Sequence, residues 1–264
     1  FLLARAAREH VKVVLSGEGA DELFGGYPTY IGHKLAPKYD ALPSFVRGAV
    51  RKLAFALPSS GKKVTLEFLL KRFVTDAERP WVERHIRWFG TGLATSSATA
   101  AEAVPASSAK NPLIGAMLLD YGSYLRDNLL VKVDRATMLS SVEARAPFLD
   151  RDVTRFALSL PAELRVRRFT TKWVLKKAAA KWVSRDVIYR RKRGLSVPTA
   201  SWINRGLRGE VDRLLEPGRL RRRGIVNESQ ISALLAEHRS GRANHAKSLW
   251  AAVMLEYWLE NWAG

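Results

Sequence analysis

One stretch constrains this chain more than any other: Val11 to Tyr27, VKVVLSGEGADELFGGY. Val11, Val13, Val14 and Leu15, broken by one Lys, predict a short buried strand. Ser16, Gly17 and Gly19 follow as a tight turn, and Ala20 opens a helix. A strand that ends in Ser-Gly-x-Gly and runs into a helix leaves backbone N–H groups unpaired at a sheet's carboxyl edge, where phosphate binds. The same turn carries the acids Glu18, Asp21 and Glu22. Carboxylates beside a phosphate repel it unless a divalent cation lies between them. The stretch therefore reads as a Mg²⁺–nucleotide edge. The structural alternative is that acids in a first helical turn suit the helix dipole, and that glycines make ordinary turns.

The chain has 264 residues, 47% of them hydrophobic, enough for a large core in one or two domains. It opens FLLARAAREH, without a Met, and reads as a segment cut from a longer protein. It contains no basic-plus-apolar leader and no uncharged apolar run of about 18 residues, so neither secretion nor a membrane span is supported. The absence of Cys excludes disulfides, thiolate metal ligands and a cysteine nucleophile within this sequence, and fits a reducing, cytoplasmic setting. Net charge is +19, which can signal anionic partners. It is spread along the chain, with peaks at Arg165–Arg168, Tyr189–Arg193 and Arg219–Arg223 that lack interleaved aromatics. That pattern argues against a nucleic-acid groove and for solvated faces beside a phosphate-handling site.

Helical patterns are predicted at Phe45–Leu57, Leu66–Phe73 and Pro80–Phe89. Thr91–Lys110, rich in Ala, Ser and Thr, reads as a mobile segment, either a lid or a plain surface loop. Leu113, Ile114, Met117, Leu118, Tyr121 and Leu125 share one helical face, and a second helix is expected from Leu129 to Glu143. Asp150 is expected to cap a helix through Leu158, and Thr171 to cap Lys172–Val183. Ser201–Leu215 and Glu228–His238 read as amphipathic helices. Lys247–Trp262 is apolar almost all round and is expected to be buried. The visible sequence is thus predominantly α-helical with about one core strand, residues 11–15. One strand makes no sheet, so its partners are expected upstream of Phe1 or in another chain.

Five stretches occur in order: LSGEGADELFGGY, LVKVDRATMLSSVEARAPFLDRDV, TTKWVLKKA, RRKRGLSVP followed by a Trp, and EHRSGRANHAKSLWAAVMLEYWL. Together they resemble the synthetase domain of glutamine-dependent asparagine synthetases, amide ligases of the ATP-pyrophosphatase (PP-loop) type. The resemblance covers most of the chain and implies an α/β fold, an adenine-nucleotide α-hydrolase-like parallel sheet followed by a helical part. On that pattern residues 1–30 are the C-terminal piece of the nucleotide-binding core. Residues 31–110 are a helical and loop insertion, mobile over 91–110, and residues 111–264 are the helical part. The implied reaction uses ATP and Mg²⁺. The aspartate side-chain carboxylate is adenylated with release of pyrophosphate. Ammonia, made from glutamine by a separate N-terminal glutaminase domain of the same protein, then attacks. Neither a membrane nor nucleic acid is implied as a partner, and a homodimer is left open.

Residue by residue, the resemblance puts Ser16 and Gly17 at nucleotide contacts and Glu18 at the reaction centre. Asp21 matches a Mg²⁺ ligand, and Lys172 the lysine that meets the α-phosphate. These roles suit the residues. Adenylation displaces pyrophosphate from an anionic centre, so cations must absorb charge, and a Lys ammonium is a compact donor for that task. Glu18 can take a proton from the attacking amine. Asp134, Arg135, Glu143, Arg145 and Asp150 belong to the VDRATMLSSVEARAPFLD motif. They form either a buried ion-pair scaffold, the preferred reading because single buried charges are costly, or substrate contacts. Arg190 and Lys192 match a basic pair with a pyrophosphate-side or a structural role.

The sequence also departs from the pattern. Leu195 follows Gly194 where many relatives carry an aromatic. The glutaminase cysteine has no counterpart here, nor does the Ser-Gly-Gly-x-Asp-Ser loop that grips pyrophosphate, which is expected upstream of Phe1. This segment alone is therefore expected neither to hydrolyse glutamine nor to make asparagine. Other functions stand beside this one: an amidotransferase or cyclase acting on another carboxylate, a non-catalytic basic interaction module, or a tRNA-modifying ATP-pyrophosphatase.

Overall fold

The structure, a computed structural model, describes residues 1–57, 66–90, 111–190 and 197–263. The expected mobile segment 91–110 lies outside the described residues. In chain order the elements begin with α1 (Leu2–Arg8), β1 (Val13–Leu15), α2 (Ala20–Phe24), α3 (Pro28–Asp40), α4 (Ser44–Ala56), α5 (Leu66–Asp76) and α6 (Trp81–Phe89). A long helix follows in three parts: α7 (Pro112–Asp120), the π-wound α8 (Tyr121–Leu130) and α9 (Val131–Met138). Next come β2 (Glu143–Arg145), a 3₁₀ turn at Pro147–Leu149, α10 (Arg151–Ser159), α11 (Ala162–Arg165), α12 (Trp173–Ala179) and α13 (Arg185–Ile188). The chain finishes with α14 (Thr199–Ser201), running into π-wound Trp202–Gly206, then α15 (Arg208–Leu214), α16 (Pro217–Arg223), α17 (Glu228–Arg239) and α18 (Ala246–Trp262). The architecture is mostly helical with a small parallel sheet. Two compact units divide it. One is Phe1–Ala49 with Phe73–His85 and Ser97–Arg191; the other is Val50–Arg72 with Ile86–Ser96 and Lys192–Gly264.

In the first unit β1 finds a partner within the chain. It pairs in parallel with β2, Val13 opposite Glu143, Val14 opposite Ala144 and Leu15 opposite Arg145. This corrects the expectation of a lone strand, and of a helix running to Glu143. The helix stops earlier because Ser141 turns the chain at φ 53° and the Val142 amide bonds back to the Thr137 carbonyl. The backbone leaves that turn extended. The expected burial of the strand is corrected too. Val13 and Leu15, which share one face, are exposed.

Two apolar clusters build this unit's core. Tyr30, Leu113, Ala116, Met117, Ala162 and Val166 form one, and Leu23, Phe24, Ala157 and Leu160 the other. Each large apolar side chain so buried contributes about 1.5–3 kcal/mol. Caps set the helix ends. The Asn111 side chain accepts from the Leu113 and Ile114 amides, and Asp150 accepts from those of Asp152 and Val153, as expected for Asp150. Among the described residues Thr171 accepts no capping hydrogen bond from α12. Lys172 itself is the N-cap residue of α12, in the left-handed region at φ 51°.

The second unit packs α15 to α18 around Ile203, Val211, Leu214, Leu220, Ile231 and Leu249. Helix α18 is not buried all round: Met254, Tyr257, Trp258 and Trp262 are exposed, whereas the charged Glu256 is fully buried. Its carboxylate meets Arg219 Nε at 3.0 Å and Arg223 Nε at 3.3 Å. The basic run Arg219–Arg223, read as a solvated face, is in part the counter-charge of a buried acid. Among the described residues no helix is long and apolar enough to cross a membrane.

Candidate active site

The site grows from the point where β1 ends. The Ser16 amide donates to the Arg145 carbonyl at 2.7 Å and closes the two-stranded ladder. Because the strands are parallel, their carboxyl ends lie side by side, the edge at which open α/β sheets bind ligands. Gly17 follows, exposed, with no heavy atom within 4 Å of where a Cβ would stand. Gly19 takes φ 85°, and a Cβ there would enter the Leu149 side chain. The short helix α2 then carries Asp21 and Glu22 in its first turn and ends on Gly25 at φ 75°. The Gly26 amide returns to the Asp21 carbonyl at 2.8 Å.

Gly26 is what lets the site assemble. A Cβ on it would collide with Asp21 Oδ1 and Lys172 Cε. Against that bare Cα, Lys172 Nζ meets Asp21 Oδ1 at 2.9 Å, each side chain about a quarter exposed, at 24% and 25%. Holding a non-glycine residue such as Lys172 in the left-handed region costs about 1 kcal/mol or more. Burial, and then the nearby Lys172 charge, pushes the Lys176 ammonium below its ordinary value. Two ammonium groups, Lys172 and Lys176, therefore stand close to each other at the head of α12.

The structure thus brings Asp21 and Lys172 together, with Asp21 in the helical turn that follows Ser16 and Gly17. Glu18 is half-buried, and its carboxylate has no hydrogen bond or ion pair among the described residues. Its charge, after burial and alongside Glu22 and Asp120, raises the Tyr124 phenol. The VDRATMLSSVEARAPFLD acids and bases do not form a buried scaffold. Asp134 and Arg135 are exposed on α9. Arg145 pairs with Glu143 at 2.8 Å on the open face of the sheet. Strand alternation puts those two side chains on the same face, and Asp150 caps α10. Arg190 lies exposed in a bend, and Lys192 is outside the described residues.

Sequence reasoning missed the support behind this edge. Tyr27 Oη donates to Glu22 Oε1 at 2.5 Å, and Tyr30 Oη to Asp120 Oδ2 at 2.6 Å. His85 Nε2 meets Asp120 Oδ1 at 2.9 Å, and His33 Nε2 lies 2.9 Å from His85 Nδ1. Burial raises the Glu22 carboxyl, partly offset by the Tyr27 hydrogen bond. The signal was present in α7: Asp120 closes the apolar run PLIGAMLLD, and an acid on a buried face needs partners. Arg165, expected on a solvated face, is instead buried behind Gly25. It donates to the Leu158 and Leu160 carbonyls, and burial lowers it to about 10.

Among the described residues no group of three or more His, Cys, Asp or Glu side chains could hold a metal alone. Mg²⁺ ordinarily takes one or two protein carboxylates and completes its shell with phosphate oxygens and water. Asp21 fits as one such carboxylate, shared with Lys172.

A family model described as asparagine synthase matches residues 1–260. Over 98% of its length the chain is 33% identical to a Mycobacterium tuberculosis protein provisionally named asparagine synthetase (glutamine-hydrolyzing). Over 98% it is 28% identical to asparagine synthetase 1 (glutamine-hydrolyzing) of Bacillus subtilis. Over 82% it is 23% identical to a Gibberella zeae protein named amidase chry2. The chain spans 40%, 42% and 36% of the lengths of those three proteins.

Proposed function

This chain belongs to the asparagine synthase family, and from that premise we propose that it carries part of an adenylating centre that makes an amide from a carboxylate, ATP and ammonia. The observation that carries the reading is the Asp21–Lys172 pair, 2.9 Å apart, beside the carboxyl ends of two parallel strands. The acceptor is proposed to be the aspartate side chain and the amine glutamine-derived ammonia. The ammonia would come from a glutaminase domain of the full-length protein, acting in the cytoplasm.

The exposed Gly17 backbone leaves room for a nucleotide phosphate against Ser16 and Gly17. Lys172 places a point charge where negative charge develops as pyrophosphate departs. Asp21 would hold Mg²⁺, which when bound neutralises phosphate charge. In the resting geometry Lys172 holds the Asp21 carboxylate in place. Glu18 supplies a carboxylate not engaged by another described side chain, suited to accept a proton from the attacking amine.

A second reading keeps the chemistry and changes the acceptor; the likeness to a protein named an amidase favours it. The test is pyrophosphate release from ATP by the full-length protein, with ammonia and either aspartate or other carboxylic acids. Turnover with aspartate supports the first reading, turnover with another acid alone the second, and none with any acid refutes both.

A further inference from the structure

A chain of buried hydrogen bonds runs inward from the candidate site through the first unit. Apart from Tyr27, its members are almost fully enclosed: Glu22 2% exposed, Tyr30 0%, His33 1%, Arg84 3%, His85 2% and Asp120 2%. Polar groups buried this deeply must satisfy one another, and the donors and acceptors fit in one sense. A carboxylate only accepts. Asp120 takes Tyr30 Oη on Oδ2 at 2.6 Å and His85 Nε2 on Oδ1 at 2.9 Å. A His85 ring that carries its proton on Nε2, facing Asp120, offers Nδ1 as an acceptor. That atom faces His33 Nε2 at 2.9 Å, which must then donate. His33 Nδ1 is left accepting, and it faces Arg84 Nη2, a pure donor, at 3.5 Å. From Arg84 through His33 and His85, and from Tyr30, each hydrogen points toward Asp120, whereas the Tyr27 hydroxyl points to Glu22.

The series ties three helices together and reaches the site. Asp120 ends α7, His85 lies on α6, and Tyr30 and His33 lie on α3. The Tyr30 amide donates to the Tyr27 carbonyl at 3.1 Å, and the Tyr27 hydroxyl spans the Gly25–Gly26 turn to Glu22. Glu22 is the neighbour of Asp21 on α2. The turn that lets Asp21 and Lys172 meet is therefore clamped at Tyr27, and Tyr27 is held by the helix that Asp120 anchors.

We propose that Asp120 is a positioning residue. It fixes His85 and His33 as Nε2–H tautomers and, through Tyr30, Tyr27 and Glu22, holds the Gly25–Gly26 turn against which Asp21 and Lys172 pair. Its consequence for catalysis rests on the adenylation reading above; the relay itself does not.

Two measurements on the full-length protein test this without substrate. Nitrogen-15 spectra of labelled histidine near pH 7 are expected to show both rings protonated on Nε2. A proton on Nδ1 of either ring overturns the relay. Nitrogen-15 spectra of labelled lysine then report Lys172. Hydrogen exchange of its ammonium is expected to rise several-fold in Asp120→Asn and in Tyr30→Phe, with helical circular dichroism unchanged. Gln at position 85 can donate to Asp120 and accept from His33, so His85→Gln is expected to keep the wild-type exchange that His85→Leu loses. Unchanged exchange in Tyr30→Phe, which loses one oxygen and keeps the fold, overturns the proposal, as does His85→Gln failing like His85→Leu. Wrong tautomers in a protein that releases pyrophosphate refute the relay alone. Right tautomers in a protein inert toward ATP refute the adenylation reading alone.

Discussion

The Lys172 ammonium and the Asp21 carboxylate meet at 2.9 Å over the bare Cα of Gly26. One comes from the head of α12 and the other from the head of α2. No local interaction joins them; the fold does, by packing α2 and α12 into one cluster, in which Val174 and Leu175 lie against a core that includes Leu23 and Phe24.

Gly26→Ala is expected to force that pair apart. The new methyl lands on Asp21 Oδ1 and Lys172 Cε, far ends of flexible side chains that can swing aside, so the cost is the lost pairing, about 0.5–1 kcal/mol. Gly17→Ala, which meets nothing within 4 Å, is expected to change stability by less than about 0.5 kcal/mol. Urea denaturation of the two variants checks the contrast.

Stability is expected to fall on mild acidification. Burial first, then His85 and Arg84, holds the His33 ring well below the ordinary histidine value of 6.5. The folded ring stays neutral where the unfolded one takes a proton. Its contribution is therefore constant above about pH 6.5 and is lost below it, at up to about 1.4 kcal/mol per pH unit. Glu22 works in the opposite sense, since burial raises its folded value. Urea midpoints at pH 7 and pH 5.5 should fall more steeply for the wild type than for His33→Gln.

In the second unit, Glu256→Ala is expected to be among the costlier single changes. It leaves Arg223, and Arg219 with Glu260 still at 3.6 Å, beside a buried gap, and losing hydrogen bonds to a charged group costs about 1.5–3 kcal/mol. Asp152→Ala breaks an exposed pair with Arg155 and is expected to cost under about 1 kcal/mol. Thermal unfolding of both variants tests the ranking.

Much of the site edge was legible because its residues act locally. The strand, the Ser-Gly-x-Gly turn and the presence of acids in it follow from propensity and glycine placement, whereas Asp21 and Lys172 are singled out only by the motifs they stand in. The second strand was not legible. Three residues, Glu143, Ala144 and Arg145, carry no strand signature, and parallel pairing with β1 makes them extended. The ion-pair scaffold failed for the same reason: alternation on that short strand turns Glu143 and Arg145 outward. The relay through Asp120 joins residues from three helices, a relationship that no window of sequence contains. Glu256 was hidden by its neighbours, since an apolar helix with one acid looks the same whether that acid faces water or two arginines.

The central claim is that Asp21 and Lys172 work together in carboxylate adenylation. Its most direct test is pyrophosphate release from ATP by the full-length protein with aspartate and ammonia, wild type against Lys172→Met and Asp21→Asn. The expected result is turnover in the wild type and a loss of about a hundredfold or more in Lys172→Met, with a comparable loss in Asp21→Asn and little change in unfolding temperature. Full turnover in Lys172→Met, or none in the wild type, would contradict the claim.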